Sequence, residues 1–296
     1  MDIAEEAFDI PIVLITFNRP ELVRQQLERL RRVKPEKIFF VSDGARQGKG
    51  EDELVQQTRN LVNTIDWQCD IETIYAENNL GCDERVVSAL NFVFSKVEQA
   101  VILEDDCLPA LSFFSYCKVL LEKYADCSEI MYISGTKWVP NYSMDYSYGF
   151  SYNTGTWGWA TWKRAWQEWH WDRQKWEEEK EYWLEGVYSN KYRKDWIRDF
   201  ERYLSVGQRP WDYVWRFCVG KRLSIFPSVN LISNIGFGEN ATHTKEEMHG
   251  YSGKVEEMER ICHPPYIYED KIYPHAIEKQ FKRSIFTRIV NRFKRK

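Results

Sequence analysis

The feature that most constrains this chain is a series of short apolar runs separated by helical patterns. Ile12 to Ile15, Ile38 to Val41, Ile71 to Tyr75, Val101 to Leu103 and Ile130 to Ile133 each read as a strand. Their starts lie 26 to 33 residues apart, the length of a strand–helix–strand unit. Between them, Val23, Leu27 and Leu30 recur at helical spacing, as do Leu54, Thr58, Leu61 and Ile65. Val86, Leu90, Val93 and Val97 do the same, then Phe113, Cys117, Leu120 and Leu121. Continuous apolar strands between amphipathic helices predict an α/β fold with a mostly parallel sheet covered on both faces. In such a sheet, ligands bind outside the carboxyl ends of the strands.

The residues expected at those ends are Asn18-Arg19, Ser42-Asp43-Gly44, Asn78-Asn79-Leu80-Gly81 and Glu104-Asp105-Asp106. Three adjacent carboxylates repel one another and lose hydration when buried. A cation at the sheet mouth relieves that cost, and hard oxygen ligands suit Mn²⁺ or Mg²⁺ shared with substrate phosphates. Arg19 is placed to pair with a phosphate. Asp43 fits two readings: an ordinary turn residue, or an acceptor for the N3–H of a uracil. No G-x-G-x-x-G follows the first strand, which disfavours a dinucleotide site. The Gly44–Gly50 stretch is one residue short of a P-loop and lacks its Ser/Thr. An acidic edge without a glycine cradle predicts metal-mediated diphosphate binding.

Beyond Gly135 the composition changes: 11 of the 13 tryptophans fall between Trp157 and Trp215. Trp162, Trp166, Trp169 and Trp176 read as one helical face, either an aromatic core or a sugar-stacking wall. Trp157, Trp159, Trp211 and Trp215 flank expected loops and are the better candidates for sugar stacking. A short strand is expected over Leu223 to Phe226, followed by a Gly-rich loop from Ile235 to Thr244.

The net charge of −4 hides an asymmetry, because residues 279–296 carry eight Lys/Arg and no acid. The other 278 residues therefore sum to −12, which excludes a general nucleic-acid binder. Within that basic stretch Phe281, Ile285, Ile289 and Phe293 recur every four residues. This predicts an amphipathic helix on an anionic membrane surface, or a terminal helix packed on the body. No apolar run is long enough to span a bilayer, the start lacks a signal-like apolar core, and seven scattered cysteines suit a reducing compartment. These features predict a cytoplasmic protein, peripheral on the inner face of the plasma membrane.

In order along the chain stand Pro11-Ile-Val-Leu-Ile-Thr-Phe-Asn-Arg-Pro20, Val41-Ser-Asp-Gly44, and Val101-Ile-Leu-Glu-Asp-Asp106 with Pro109 and Phe113-Phe114. They are followed by Gly158-Trp159, Arg209-Pro-Trp-Asp-Tyr-Val-Trp-Arg216 and Ile225-Phe-Pro-Ser-Val-Asn230. This combination, over roughly residues 10 to 245, resembles the GT-A glycosyltransferases, in particular the β-1,2-N-acetylglucosaminyltransferase I family and related bacterial enzymes. The resemblance implies a Rossmann-like nucleotide-diphospho-sugar transferase fold with a Trp-rich acceptor-side half. It implies Asp106 as the metal ligand, Asp105 on the ribose, Glu104 on the donor sugar, and Asp43 and Arg19 on the nucleotide. Asp212 would be the general base of a single inverting displacement; its other reading is a helix N-cap. Glu239 and Asp172 are substitutes for that base, and His243 is either an added metal ligand or a solvated histidine. The sequence departs from the family where Tyr213 replaces a second aspartate and where residues 177–208 lengthen the acceptor side.

These readings divide the chain into a nucleotide-sugar-binding half (8–136), an acceptor-binding and catalytic half (137–260) and a C-terminal extension (261–296). The expected function is transfer of a hexosyl or N-acetylhexosaminyl group from a UDP-sugar to a glycan or lipid-linked glycan for cell-surface polysaccharide. The expected metal is Mn²⁺ or Mg²⁺, and the expected partners are donor, acceptor and anionic membrane, with no nucleic acid. The rivals are a catalytically silent sugar-nucleotide or glycan-binding module, and a sugar nucleotidyltransferase, which the absence of a Gly-rich loop after the first strand disfavours.

Overall fold

A computed structural model describes residues 8–152, 154–236 and 254–280. The five expected strands form: β1 (Ile12–Thr16), β2 (Lys37–Ser42), β3 (Asp70–Tyr75), β4 (Gln99–Glu104) and, after the short β5 (Cys107–Pro109), β6 (Ile130–Ser134). They alternate with helices α1 (Pro20–Val33), α2 (Asp52–Asn60), α3 (Cys82–Lys96) and α4 (Ser112–Lys123). Pro20 stands in the first turn of α1, where its missing N–H costs nothing. The expected second helix tightens into a 3-10 turn over Leu61–Thr64.

Past residue 136 come β7 (Tyr148–Ser151), β8 (Trp159–Trp162), α5 (Lys163–Trp166), α6 (Arg173–Glu179), α7 (Asn190–Ser205), α8 (Trp211–Val219), β9 (Leu223–Pro227) and β10 (Ile232–Asn234). The main sheet has the order β3-β2-β1-β4-β8-β6-β9-β7, and β10 pairs with β5 in a second, two-stranded sheet. The run β3-β2-β1-β4 is parallel, as are β6 and β9, while β8 is antiparallel to both neighbours. The chain is thus α/β, with a large, mostly parallel central sheet flanked by helices. The fifth expected strand, β6, does not pair with β4, because β8 lies between them.

The tryptophan segment is where the structure corrects the sequence. Trp162 ends a strand, Trp166 closes a single helical turn and Trp176 belongs to a separate helix, so no continuous helical face joins them. One aromatic cluster, with Trp159, Trp166, Trp211 and Trp215, packs on the sheet against α3 residues Val86, Leu90 and Val93. A second, around Trp176, Trp183, Trp196 and Phe200, sits outside it. Helix α8 runs between the two. Trp211, Trp215 and Val219 face the first cluster, and Val214 and Phe217 face the second. Asp212 and Arg216, four residues apart on one remaining face, belong to neither cluster.

Residues 254–280 strap the body. Glu257 accepts the Leu111 and Ser112 N–H groups at the start of α4, at 3.0 and 2.8 Å, where a carboxylate favours the helix dipole. Buried Glu278 accepts from Ser189, which itself caps α7 through its hydroxyl.

Candidate active site

The acidic triplet sits where β4 ends and turns into β5. Gln26, fully buried on α1, donates its amide to the carbonyls of Glu104 and Cys107 and fixes that turn. Arg19, at the junction of β1 and α1, crosses to the same turn. It pairs closely with Asp105 and lies 3.3 Å from Asp106. Asp105 also accepts the Phe17 N–H at 3.3 Å. Glu104 has neither a side-chain hydrogen bond nor a salt bridge among the described residues. Burial, with Asp106 and Asp105 nearby, pushes its carboxyl well above the usual range. Gly236 packs so tightly here that an added Cβ would stand 2.6 Å from Asp106.

Asp43 ends β2 and is buried. Its Oδ1 accepts the N–H groups of Gly44 and Leu80, and its Oδ2 accepts Gly81 N–H and the Asn79 amide, at 2.8 to 3.0 Å. A carboxylate offers about four such sites. The free acceptor expected for a uracil is therefore already used, and Asp43 ties the end of β2 to the turn that starts α3. Gly44 permits this knot, since a Cβ there would lie 2.4 Å from the Asn78 carbonyl carbon.

These groups line one cavity of about 430 Å³ at the carboxyl ends of β1, β2 and β4. That volume suits a small-molecule ligand. Its walls carry the carboxylates Asp43, Asp83, Glu104, Asp105 and Asp106 against the guanidiniums Arg19, Arg46 and Arg85. Of these, Arg46 is paired with Glu51.

Arg85, in the first turn of α3, was not anticipated. It is 6% exposed, and its Nε is buried without a partner. The side chain makes no hydrogen bond or salt bridge among the described residues, and burial pulls its pKa down while Asp43 opposes the shift. An unpaired guanidinium in a cavity wall is costly, and an anionic or carbonyl ligand relieves that cost. The signal available in sequence was its place just after the Asn78–Gly81 turn, at a strand end.

Asp212 stands beside the cavity and does not line it. It lies in the first turn of α8 and is not the N-cap, a position held by Pro210. Asp83 of α3 accepts the Trp211 N–H at 2.9 Å, which fixes α8 against the cavity wall. The charge of Asp212 reaches Glu104 and Cys82, both of which line the cavity. Burial pushes its carboxyl up, and Arg216 one turn later opposes the shift. The substitute Asp172 is exposed and caps α6, accepting the Lys175 N–H at 3.1 Å.

Of the three expected acceptor-side tryptophans, Trp157 lines the cavity, 4.9 Å from Trp138. Trp159 and Trp211 are buried and stacked on each other, as core demands of large apolar rings, so they offer no sugar wall. Trp215 is buried with them. Glu239, His243 and residues 281–296 lie outside the described residues.

The donor set at Glu104 and Asp106 is oxygen-only and in excess of its cations, which fits a hard divalent ion. Among the described residues no three His, Cys, Asp or Glu side chains form a complete metal cage. An ion here would take one or two carboxylates and complete its shell from substrate phosphate and water, the usual habit of Mg²⁺.

No family model and no curated protein matches the chain. Among solved structures it aligns with HddC from Yersinia pseudotuberculosis, at 12% identity and a TM-score of 0.29, over 40% of this chain and 55% of that one. It also aligns with two structures of UDP-glucose pyrophosphorylase, one with UDP-glucose bound and one apo. With UDP-glucose bound, the TM-score is 0.28, at 10% identity over 48% of this chain and 62% of that one. For an apo form it is 0.27, at 12% identity over 47% and 63%. Each alignment spans less than two thirds of the other chain. At these scores the likeness carries no functional weight.

Two outcomes follow. Arg85→Met removes a buried charge that has no hydrogen-bond or ion-pair partner among the described residues, so the unfolding midpoint rises, which calorimetry checks. Glu104 holds its proton more tightly folded than unfolded, so it costs stability as pH rises above the ordinary carboxylate range. Thermal melts of Glu104→Gln against wild type therefore show little gain at pH 5 and a gain of a few degrees at pH 8.

Proposed function

We propose that the chain is an inverting glycosyltransferase with a GT-A-type site. It moves a sugar from a nucleotide diphosphate donor, a UDP-sugar, to a hydroxyl of a glycan or lipid-linked glycan. The observation that carries this reading is the mouth of β4. There two cavity-facing carboxylates, an arginine bridge and an unpaired buried guanidinium meet in one cavity, beside a partly desolvated aspartate.

In this reading Arg85 takes an acceptor atom of the nucleotide, and Asp43 acts by holding the loop from which Arg85 projects. Glu104, unpaired, accepts a hydroxyl of the donor sugar. Asp106 would hold Mn²⁺ or Mg²⁺, with Glu104 beside it; the bound ion supplies positive charge to the diphosphate as it departs. Asp212 takes the proton of the acceptor hydroxyl as its oxygen attacks the anomeric carbon. The bond from that carbon to the diphosphate oxygen breaks, its electron pair leaves with the nucleoside diphosphate, and the configuration inverts. Burial raises the basicity of Asp212 toward that task, and the rigid packing of α8 keeps its carboxylate in place.

A cytoplasmic enzyme held at an anionic membrane by residues 279–296, and serving surface polysaccharide synthesis, completes the proposal. No helix among the described residues is long and apolar enough to cross a membrane.

Asp212→Asn is nearly isosteric and tests the role of the base. The expected result is unchanged UDP-sugar binding by calorimetry, with transfer reduced by about 10²- to 10⁴-fold. Wild-type transfer from the Asn variant would remove Asp212 as the base. Donor binding without any transfer in the wild type would favour the silent binding module.

A further inference from the structure

The segment before the basic stretch is pinned to the body yet presents apolar side chains to solvent. Asp270 fixes it: its N–H donates to the Phe150 carbonyl at 2.8 Å, at the β7 edge of the main sheet. Its Oδ1 accepts the Ile272 and Tyr273 N–H groups at 2.9 Å, which caps the helix spanning 273–280, and its Oδ2 accepts the Tyr142 hydroxyl at 2.6 Å. Pro264 and Pro265 stiffen the approach. Around this anchor Tyr266 is 75% exposed, Ile272 69%, Tyr268 48% and Ile267 43%. A held backbone with such side chains outward is a surface, and four large apolar groups within seven residues are unusual on one.

Charge identifies what such a surface meets. The helix over 273–280 advances about 12 Å at 1.5 Å per residue, so the basic stretch departs within about that distance of Ile272. Residues 279–296 bring eight Lys/Arg and no acid, while the rest of the chain sums to −12 and is repelled by anionic lipid. In sequence these basic charges follow directly on the helix that begins beside the apolar group. Tyrosine beside aliphatic residues suits the membrane–water interface, and stable anchoring generally takes two weak signals rather than one.

We infer that Tyr266, Ile267, Tyr268 and Ile272 form a membrane-contacting face of the folded body, which enters the interface of an anionic bilayer next to the basic stretch. This rests on the membrane reading of residues 279–296 and adds a fixed orientation, since a contact on the pinned body sets how the β7 edge faces the lipid. The attraction of the basic stretch alone would leave the body free to tumble.

Vesicle flotation of the full chain tests it, with phosphatidylcholine alone and with phosphatidylserine added to 30 mol% (about a third of the lipid, enough to set a negative surface potential). Wild type is expected to bind only the anionic vesicles. The variant Y266S/I267S/Y268S/I272S binds them about tenfold more weakly, and Y266S or I272S alone about two- to threefold, with unfolding midpoints unchanged. Equal binding by wild type and the fourfold variant overturns the inference and leaves the membrane reading of the basic stretch intact. No binding by wild type overturns both, and transfer from a UDP-sugar in lipid-free buffer reports separately on the enzyme. A lipid-free dimer that the fourfold variant dissolves also overturns the inference, by assigning the face to a second copy.

Discussion

Everything at the candidate site depends on how this protein tolerates three consecutive carboxylates at the end of a buried strand. The answer is local and asymmetric. Arg19 neutralises Asp105 and reaches Asp106, and the Gln26 amide holds the turn by its carbonyls without touching its charges. Glu104 has no ion pair of its own among the described residues, and the distant charge of Arg19 only partly offsets its burial. One guanidinium cannot balance three acids, so one wall keeps excess negative charge and another holds Arg85, unpaired among the described residues. The two do not cancel, because the Asp43 knot keeps the start of α3 on its own side of the cavity. A ligand carrying both a cation and an anion, such as a metal-bound diphosphate, relieves both walls together.

The tryptophan-rich half serves this site by rigidity. Helix α8 is gripped from two sides by aromatic rings, and its first N–H is capped by Asp83 of α3. The sheet and the outer aromatic cluster therefore meet through α8 beside the cavity, and Asp212 stands on that helix. Stacked indoles lose little side-chain entropy when ordered and pack with low compressibility, which suits a helix that must present one carboxylate at a set place.

The parallel part of the sheet was legible because its strands are continuous apolar runs between amphipathic helices, a pattern set by burial on both faces. The antiparallel β8 was not. Its Trp-Ala-Thr-Trp sequence continues into Trp166 and Trp169 at spacings that mimic a helix, and pairing order is not a local property. The acidic triplet and Arg19 were legible as strand-end residues. Arg85 was not, because what marks it is the absence of a partner, which only the folded arrangement reveals. The reverse holds for Asp43. As a residue type it suits a ligand, but the turn at 79–81 folds its donors onto it.

The most direct test of the central claim is the thermal unfolding of wild-type protein with UDP-sugars, with and without Mn²⁺. A ligand that binds only the folded state raises the midpoint by mass action. The account predicts an upward shift of several degrees that needs sugar nucleotide and Mn²⁺ together and is lost in Asp106→Ala. No shift with any sugar nucleotide, or an equal shift in Asp106→Ala, would contradict a metal-assisted donor site at the end of β4.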